Sequence, residues 1–349
     1  MSSFSAILEE IAIVILNWNG KDFLKKFLPG VIEHADGALI CLADNNSSDD
    51  SVAFVSENFP QIKLIQNPEN GGFAKGYNDA LKQVHSKYYL LLNSDIEVTP
   101  NWLLPLKDAM NDPQVAGCQP KILSYSNKNQ FEHAGAAGGF LDRNYYPFCR
   151  GRIMDQFEED HGQYDWNMEI FWATGAALLI RSELFHEMGG FDETFFAHME
   201  EIDLCWRLKR NGYKFMAVPQ SVVYHVGGGT LPYLSPKKSF LNFRNSLFML
   251  IKNHEGLLFP KLFYRLILDG IAGVRFLLRG EFKHLWSIIS AHWTTFTQLK
   301  RLLKQRKTLK QASSKTNLSG VYNGNILWAR YIKKIKKFSD LNQRLFITK

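Results

Sequence analysis

The run Tyr88-Tyr89-Leu90-Leu91-Leu92 breaks off at Asn93-Ser94-Asp95 before Ile96-Glu97-Val98 resumes. An apolar stretch of this length, closed by polar side chains, reads as a strand buried on both faces whose last residues emerge at a sheet edge. In open α/β sheets ligands bind in the crevice beyond the carboxyl ends of the strands, so Asp95 is placed to meet a metal or a polar ligand. The plainer alternative is that Asp95 or Thr99 caps a helix opening at Pro100.

The same punctuation occurs twice upstream. Ile11-Ala12-Ile13-Val14-Ile15-Leu16 stops at Asn17-Trp18-Asn19-Gly20, and residues 38–43 stop at Asp44-Asn45-Asn46-Ser47-Ser48-Asp49-Asp50. Between them Phe23, Leu24, Phe27, Leu28, Val31 and Ile32 keep a helical period over residues 21–34, with Pro29-Gly30 expected to bend or break it. Ser48 or Asp49 can cap a helix reaching residue 58, and residues 62–66 form a third strand. Alternating strand and helix predict a parallel sheet. The next loop, Asn70-Gly71-Gly72-Phe73-Ala74-Lys75-Gly76, fits neither G-x-G-x-x-G nor G-x-x-x-x-G-K-[ST], so neither a dinucleotide fingerprint nor a P-loop is supported. Gly71 and Gly72 either make the turn or let a ligand approach the backbone, with the helix N-terminus behind them favouring a phosphate.

Downstream, residues 101–110 read as a helix and 115–122 as a strand. Residues 124–168 are irregular and too long for an ordinary connection, which marks a functional segment or small elements. Residues 171–181 pass from a turn at Gly175 into a strand, and a helix over 182–188 ends at Gly189-Gly190. If residues 199–211 are helical, Glu200, Asp203 and Arg207 share a face and Glu201 points elsewhere. Asp203 and Arg207 then read as an i, i+4 ion pair worth a few tenths of a kcal/mol, while Glu201 faces Cys205 at i+4 and is freer to act as base or ligand. Residues 214–218 and 222–224 read as two short strands. His225, followed by Gly227-Gly228-Gly229, is either a hydrogen-bonded histidine or a metal ligand.

At 349 residues, nearly half apolar, the chain can bury a large core. Cys41, Cys118, Cys149 and Cys205 are widely spaced with no C-x-x-C pair, which argues against a zinc site or disulfide framework and fits a reducing cytoplasm. Residues 1–10 lack a basic segment followed by an apolar one, so no secretory leader is expected. The net charge of +7 divides unequally. Residues 257–349 hold 19 Lys+Arg against 3 Asp+Glu, and residues 1–256 hold 22 against 31, giving +16 against −9. The acidic part is expected to carry the chemistry and the basic part to meet an anionic surface.

Taken in order, Val14-Ile15-Leu16-Asn17-Trp18-Asn19, Asp44-Asn45-Asn46-Ser47-Ser48-Asp49, Asn70-Gly71-Gly72-Phe73-Ala74, Leu92-Asn93-Ser94-Asp95 and Gly190-Phe191-Asp192-Glu193-Thr194-Phe195-Phe196 through Glu200-Glu201-Ile202-Asp203-Leu204 resemble family 2 glycosyltransferases of the GT-A fold. The likeness is to the rhamnosyltransferase-like and galactofuranosyltransferase-like branch and covers residues 11–253. It implies an α/β catalytic domain over 1–253, with a mostly parallel central sheet flanked by helices, and a basic helical extension over 254–349. It implies a nucleotide site at Asn17, Trp18, Asn19 and Asp44, with Asp44 facing a pyrimidine base, and donor contacts at Asn70, Gly71 and Gly72. Asn93-Ser94-Asp95 stands where the family has D-x-D, so Asp95, with His225, is the implied ligand pair for Mg²⁺ or Mn²⁺. Glu200-Glu201 stands where the family has Glu-Asp, giving Glu201 the general-base role by position and Glu200 a substrate contact. Trp172 and Gly175 fall at the acceptor and donor-sugar pocket, Trp172 either stacking on a sugar or filling the core.

The implied reaction is attack by a hydroxyl of a glycan or lipid-linked glycan on a UDP- or dTDP-sugar, inverting the anomeric carbon. The rival classes are a sugar-phosphate nucleotidyltransferase, which must bind a nucleoside triphosphate, and a non-catalytic glycan- or nucleotide-binding scaffold, which would tolerate loss of Asp44, Asp95, Glu201 and His225. Residues 257–279 are apolar but interrupted by Lys261, Arg265, Asp269 and Arg275, so they read as an amphipathic helix rather than a membrane span. With the lysines near residues 300–307 and 333–337 they point to the inner face of the cell membrane, or to packing on the catalytic domain or a homodimer partner. No base-reading module for nucleic acid is present.

Overall fold

A computed structural model describes residues 10–227, 235–312 and 315–348. The central sheet opens with β1 (Ile11–Asn17), followed by α1 (Lys21–Glu33), β2 (Leu39–Asp44), α2 (Ser51–Asn58), β3 (Lys63–Gln66), α3 (Gly72–Leu81) and β4 (Tyr88–Asn93). These four strands are parallel, in the order β3-β2-β1-β4. Alternate β1 residues enter opposite cores, Val14 joining Tyr77 and Leu91 on one face and Ile13 and Ile15 joining Leu24 and Leu90 on the other. Burial on both faces explains the unbroken apolar runs. Pro29 lies inside α1 without ending it.

The chain then turns into β5 (Ile96–Val98), α4 (Leu103–Ala109) and β6 (Val115–Ser124). Thr99 caps no helix, because its hydroxyl donates to the Val222 carbonyl at 2.8 Å. The segment read as irregular contains four short strands, β7 (Gly139–Asp142), β8 (Pro147–Cys149), β9 (Arg152–Ile153) and β10 (Gln156–Phe157), which form a second sheet. After β11 (Met168–Ile170) come β12 (Ala177–Arg181), α5 (Ser182–Glu187), α6 (Glu200–Arg210) and β13 (Lys214–His225). β13 is one strand, not two. It is irregular between Val218 and Val222, which breaks the alternation without ending the pairing with β6. β12 runs antiparallel to β4, and the main sheet continues through β6, β13 and β11, with β5 also paired to β13.

Beyond β13 lie α7 (Pro236–Asn253), α8 (Leu258–Leu278), α9 (Phe282–Thr297) and α10 (Leu299–Ala312), then β14 (Val321–Tyr322). The C-terminal segment is built into the rest of the molecule: α8, α9 and α10 all pack on α7, and β14 pairs in parallel with β7 of the small sheet. All four cysteines are buried and free.

Candidate active site

Strand register gathers the polar tips. Asn17 is opposite Asp44 and Leu16 is opposite Asn93, so the carboxyl ends of β1, β2 and β4 share one edge of the sheet. There Asn17 Nδ2 donates to Asp44 Oδ1 at 2.9 Å, and Ser47 donates to both Asp44 oxygens, from its hydroxyl at 2.6 Å and its backbone N–H at 2.9 Å. Asp44 is therefore buried and holds three hydrogen bonds, two on Oδ1 and one on Oδ2, that join the end of β1 to its own loop. Asn19 Oδ1 accepts from the Ser48 N–H at 2.7 Å, tying the two loops together, while Trp18 keeps 44 % of its surface exposed at their rim.

Asn45 carries the order onward, donating to Asn70 Oδ1 at 2.9 Å and to the Gly72 carbonyl at 3.0 Å. Gly72 has φ +78°, and a Cβ there would lie 2.5 Å from the Phe196 carbonyl oxygen. The N–H groups of Phe73 and Ala74, at the start of α3, both donate to that same carbonyl, at 2.7 and 3.2 Å. The helix N-terminus expected to favour a phosphate thus has two of its donors engaged by the turn before α6.

Asp95 and His225, 130 residues apart, meet because β5 pairs with β13. His225 Nε2 is 3.1 Å from Asp95 Oδ1 and 3.4 Å from Asn93 Nδ2, while its Nδ1 is 3.0 Å from Glu132 Oε2. Burial would push the imidazole pKa down, but the two carboxylates outweigh it and lift it to about 10. Burial likewise works to raise Glu132, and its bond to His225 wins, holding it at about 2. Glu132 had no signature in the sequence, since its partner is 93 residues away. Among the described residues no three His, Cys, Asp or Glu side chains converge as a closed metal cage. Asp95 and His225 nonetheless fit a divalent ion, which would take the place of the Nε2 proton now shared with Asp95: the donor set is oxygen and nitrogen, and a histidine that hands its far ring N–H to a carboxylate holds its other nitrogen in a fixed direction.

The third group is Glu200-Glu201 at the start of α6. The turn before it is strained, with Phe196, His198 and Met199 at φ of 65°, 72° and 73°. The clamp comes from α7, where Asn245 Nδ2 donates to the carbonyls of Phe195, Ala197 and His198 at 2.7–2.9 Å. Arg244 donates to those of Thr194 and Phe195 at 3.1 and 2.9 Å. Neither residue was expected, although a buried Asn in an apolar helix is a signal of this kind of task. Glu200 is buried and Glu201 half-buried, and each leaves its Oε2 without a partner. Burial raises both carboxyls, Glu201 to about 7, and the Glu201 charge adds to the rise at Glu200. Next to Glu132, the His133 imidazole is pushed well down by burial and by the nearby Arg152 charge, with smaller contributions from Lys238 and His198.

Asp203 is not the weak surface pair its spacing suggested. Fully buried, it accepts from Arg207 and Lys252 at 2.9 Å and from Asn253 at 2.8 Å, bolting α6 to α7. Trp172 is packed in the core, its ring against Gly139 and its indole N–H on the Phe140 carbonyl at 3.0 Å, so no ring face is open for a sugar. Gly175 is buried under Phe73, whose Cζ would be 2.8 Å from a Cβ at that position. The glycine run after His225 lies, from Gly228 onward, outside the described residues, as do the first nine residues.

Residues 12–188 match the glycosyl transferase family 2 domain. The chain belongs to glycosyl transferase family 2. It is 24 % identical over 240 residues to N-acetylglucosaminyl-diphospho-decaprenol L-rhamnosyltransferase of Mycobacterium tuberculosis, covering 62 % of this chain and 75 % of that one. It is 23 % identical over 224 residues to rhamnosyltransferase WbbL of Escherichia coli, covering 62 % and 83 %. Among solved structures it resembles the mannosyltransferase of Pyrobaculum calidifontis in complex with GDP-Man and Mn²⁺, with a TM-score of 0.50, 14 % identity and coverage of 87 % and 85 %. It also resembles GalNAc-T7 with UDP, GalNAc and Mn²⁺, with a TM-score of 0.53, 16 % identity and coverage of 69 % and 47 %. The fold is GT-A, and within family 2 the chain is similar to proteins named rhamnosyltransferase.

Proposed function

We propose that this glycosyltransferase moves a sugar, with inversion, from a UDP- or dTDP-linked donor to a hydroxyl of a glycan or lipid-linked glycan, using Mg²⁺ or Mn²⁺. The observation that carries this reading is the Glu200-Glu201 pair, two carboxyls with unpartnered oxygens and raised pKa values held at a helix start by a strained, clamped turn. The acceptor is supported by the relative named as acting on N-acetylglucosaminyl-diphospho-decaprenol. In this reading residues 1–253 form the catalytic unit, and residues 254–349 are an extension packed onto it.

The Glu201 carboxylate takes the acceptor hydroxyl proton as the oxygen attacks the anomeric carbon. The bond from that carbon to the diphosphate breaks on the opposite face, so the configuration inverts. A divalent ion, when bound, supplies positive charge to the departing diphosphate, and Asp95 and His225 are the residues that would hold it, with Glu132 aiming the imidazole. The Asn17–Asn19 loop, shaped by Asp44 and Ser47, cradles the nucleotide, with Trp18 offering its exposed ring to the base. Asn70, Gly71 and Gly72 set the floor beneath the donor, beside Asn93 and Ser94. Burial brings Glu201 to near neutrality, where a base can both take and release a proton, and its charge helps keep the neighbouring Glu200 protonated.

Glu201→Gln tests the assignment. Turnover is expected to fall about 10²- to 10⁴-fold with calorimetric donor affinity retained, and the wild-type kcat profile to drop below pH ~7 with unit slope. Wild-type turnover by that variant removes Glu201 from the mechanism.

A further inference from the structure

Helix α8 sets an apolar outward face against a mixed inward one, where Leu258, Leu262 and Gly273 are buried beside two charged residues. Its buried face carries Arg265 and Asp269, 2 % and 1 % exposed and paired at 3.1 Å, with Arg265 also donating to Ser246 and Asp269 accepting from Tyr146. Its outward face carries Phe259, Phe263, Ile267, Ile271, Val274 and Leu278, spaced by fours and a three so that they form one stripe. Helix α9 repeats the arrangement. Ser287, Ile288, Ala291 and Thr295 face inward, while Phe282, Trp286, Ile289, Trp293 and Phe296 face outward, with Trp286 at 67 % and Trp293 at 72 % exposure.

The two stripes belong to one surface. Both helices pack on α7 by their buried faces, and Gly273 of α8 meets Leu285 of α9. The segment bearing Trp328, Tyr331 and Ile332, all exposed, joins the same side: Asn325 donates to the Tyr264 hydroxyl at 3.4 Å and Arg275 lies 5.4 Å from the Tyr331 ring centre. A soluble surface rarely exposes so many contiguous large apolar side chains.

What covers this surface follows from the charge around it. Exposed Arg275, Arg279 and Lys283 flank the junction of α8 and α9, Lys300 follows α9, and Lys333, Lys334, Lys336 and Lys337 follow Ile332. The three acids of this region do not offset them, since Asp269 is buried and only Glu281 and Asp340 remain. Among the described residues no helix is long and apolar enough to cross a membrane. Aromatic and aliphatic side chains on helices lying flat, rimmed by lysine and arginine, are the chemistry of a protein face immersed in the interfacial layer of an anionic bilayer.

We propose that α8 and α9, with Trp328, Tyr331 and Ile332, dock on an anionic lipid surface without crossing it. Binding requires no catalysis, so it stands or falls apart from the reaction proposed above. The test is flotation of the full chain with vesicles of phosphatidylcholine alone and of phosphatidylcholine mixed with phosphatidylglycerol. The wild type is expected to float with the mixed vesicles, less with the neutral ones, and less again in high salt. Trp286→Ser with Trp293→Ser is expected to weaken partitioning by at least roughly tenfold while thermal unfolding is unchanged. Lys336→Glu with Lys337→Glu is expected to narrow the difference between the two vesicle types. The proposal is overturned if the wild type stays in the aqueous fraction with both, or if the double Trp variant floats as well as the wild type. A concentration-dependent dimer that the Trp substitutions abolish, without vesicle binding, would assign the face to a second copy instead.

Discussion

Replacing Asn245 with alanine separates the clamp on the turn before α6 from the carboxyls that follow it. The side chain is fully buried, its Oδ1 is fixed by Arg244 Nε at 2.8 Å, and its two N–H bonds serve three carbonyls between residues 195 and 198. Losing two net hydrogen bonds at ~0.5–1.5 kcal/mol each, with carbonyls left unpaired indoors, gives a loss of ~2–3 kcal/mol. The three left-handed residues hold strain of ~1–2 kcal/mol apiece, so that loss is comparable with what the turn must resist. At an unfolding entropy of ~2.1 cal/mol/K per residue, the midpoint should fall by ~3–4 °C, or by less if the turn relaxes instead of destabilising the whole. Relaxation would swing Glu201 away, and displacement by about an ångström can cost ~10²-fold in rate. The assay pairs thermal unfolding with steady-state kinetics, and kcat should fall by ~10- to 100-fold while donor KM stays near the wild-type value. Full kcat in a variant whose midpoint has dropped would show that the turn keeps its form without Asn245, and the reasoning would fail.

Titration of UDP or dTDP by calorimetry with and without Mn²⁺ should show metal-dependent affinity lost in Asp95→Ala and weakened ~10- to 100-fold in Glu132→Gln, whereas equal affinities in all three proteins would contradict the ligand pair. Stability should also depend on pH through Glu200 and Glu201. Their folded pKa values lie above the unfolded value of 4.5, so the unfolded chain ionises first and stability, complete below about pH 4.5, declines as pH rises through about 7. Urea unfolding of the wild type and of a Glu200→Gln, Glu201→Gln double variant between pH 5 and 8 checks the sign, and a wild type that gains relative stability toward pH 8 refutes it.

The strands β1, β2 and β4 were legible because both sheet faces are buried, which leaves continuous apolar runs ending at Asn17, Asp44 and Asn93. The strands of the small sheet are two to four residues long, too short to display a period. β13 looked like two strands because Pro219-Gln220-Ser221 interrupts it, although the paired backbone continues on either side. Asp95 and His225 stood out as residue types, but only the β5–β13 pairing brings them together. Glu132 left no trace because its work is done on a partner 93 residues along the chain, and Asn245 showed only as an amide in an apolar helix, with nothing local to name the carbonyls it serves. Trp172 was ambiguous, and Gly139 settled it by giving the indole a flat bed.

The small sheet also sets a schedule. Its strand β7, paired in the finished fold between β8 and β14, is made long before β14: Leu141 finds Gly320, and the Asp142 carboxylate finds Ile326, only after about 180 more residues have been made. At ~5–20 residues per second the nascent β7 edge waits ~10–35 s for its neighbour. Shortening the protein to isolate its catalytic half would make that wait permanent, exchanging a paired edge for one open to other chains.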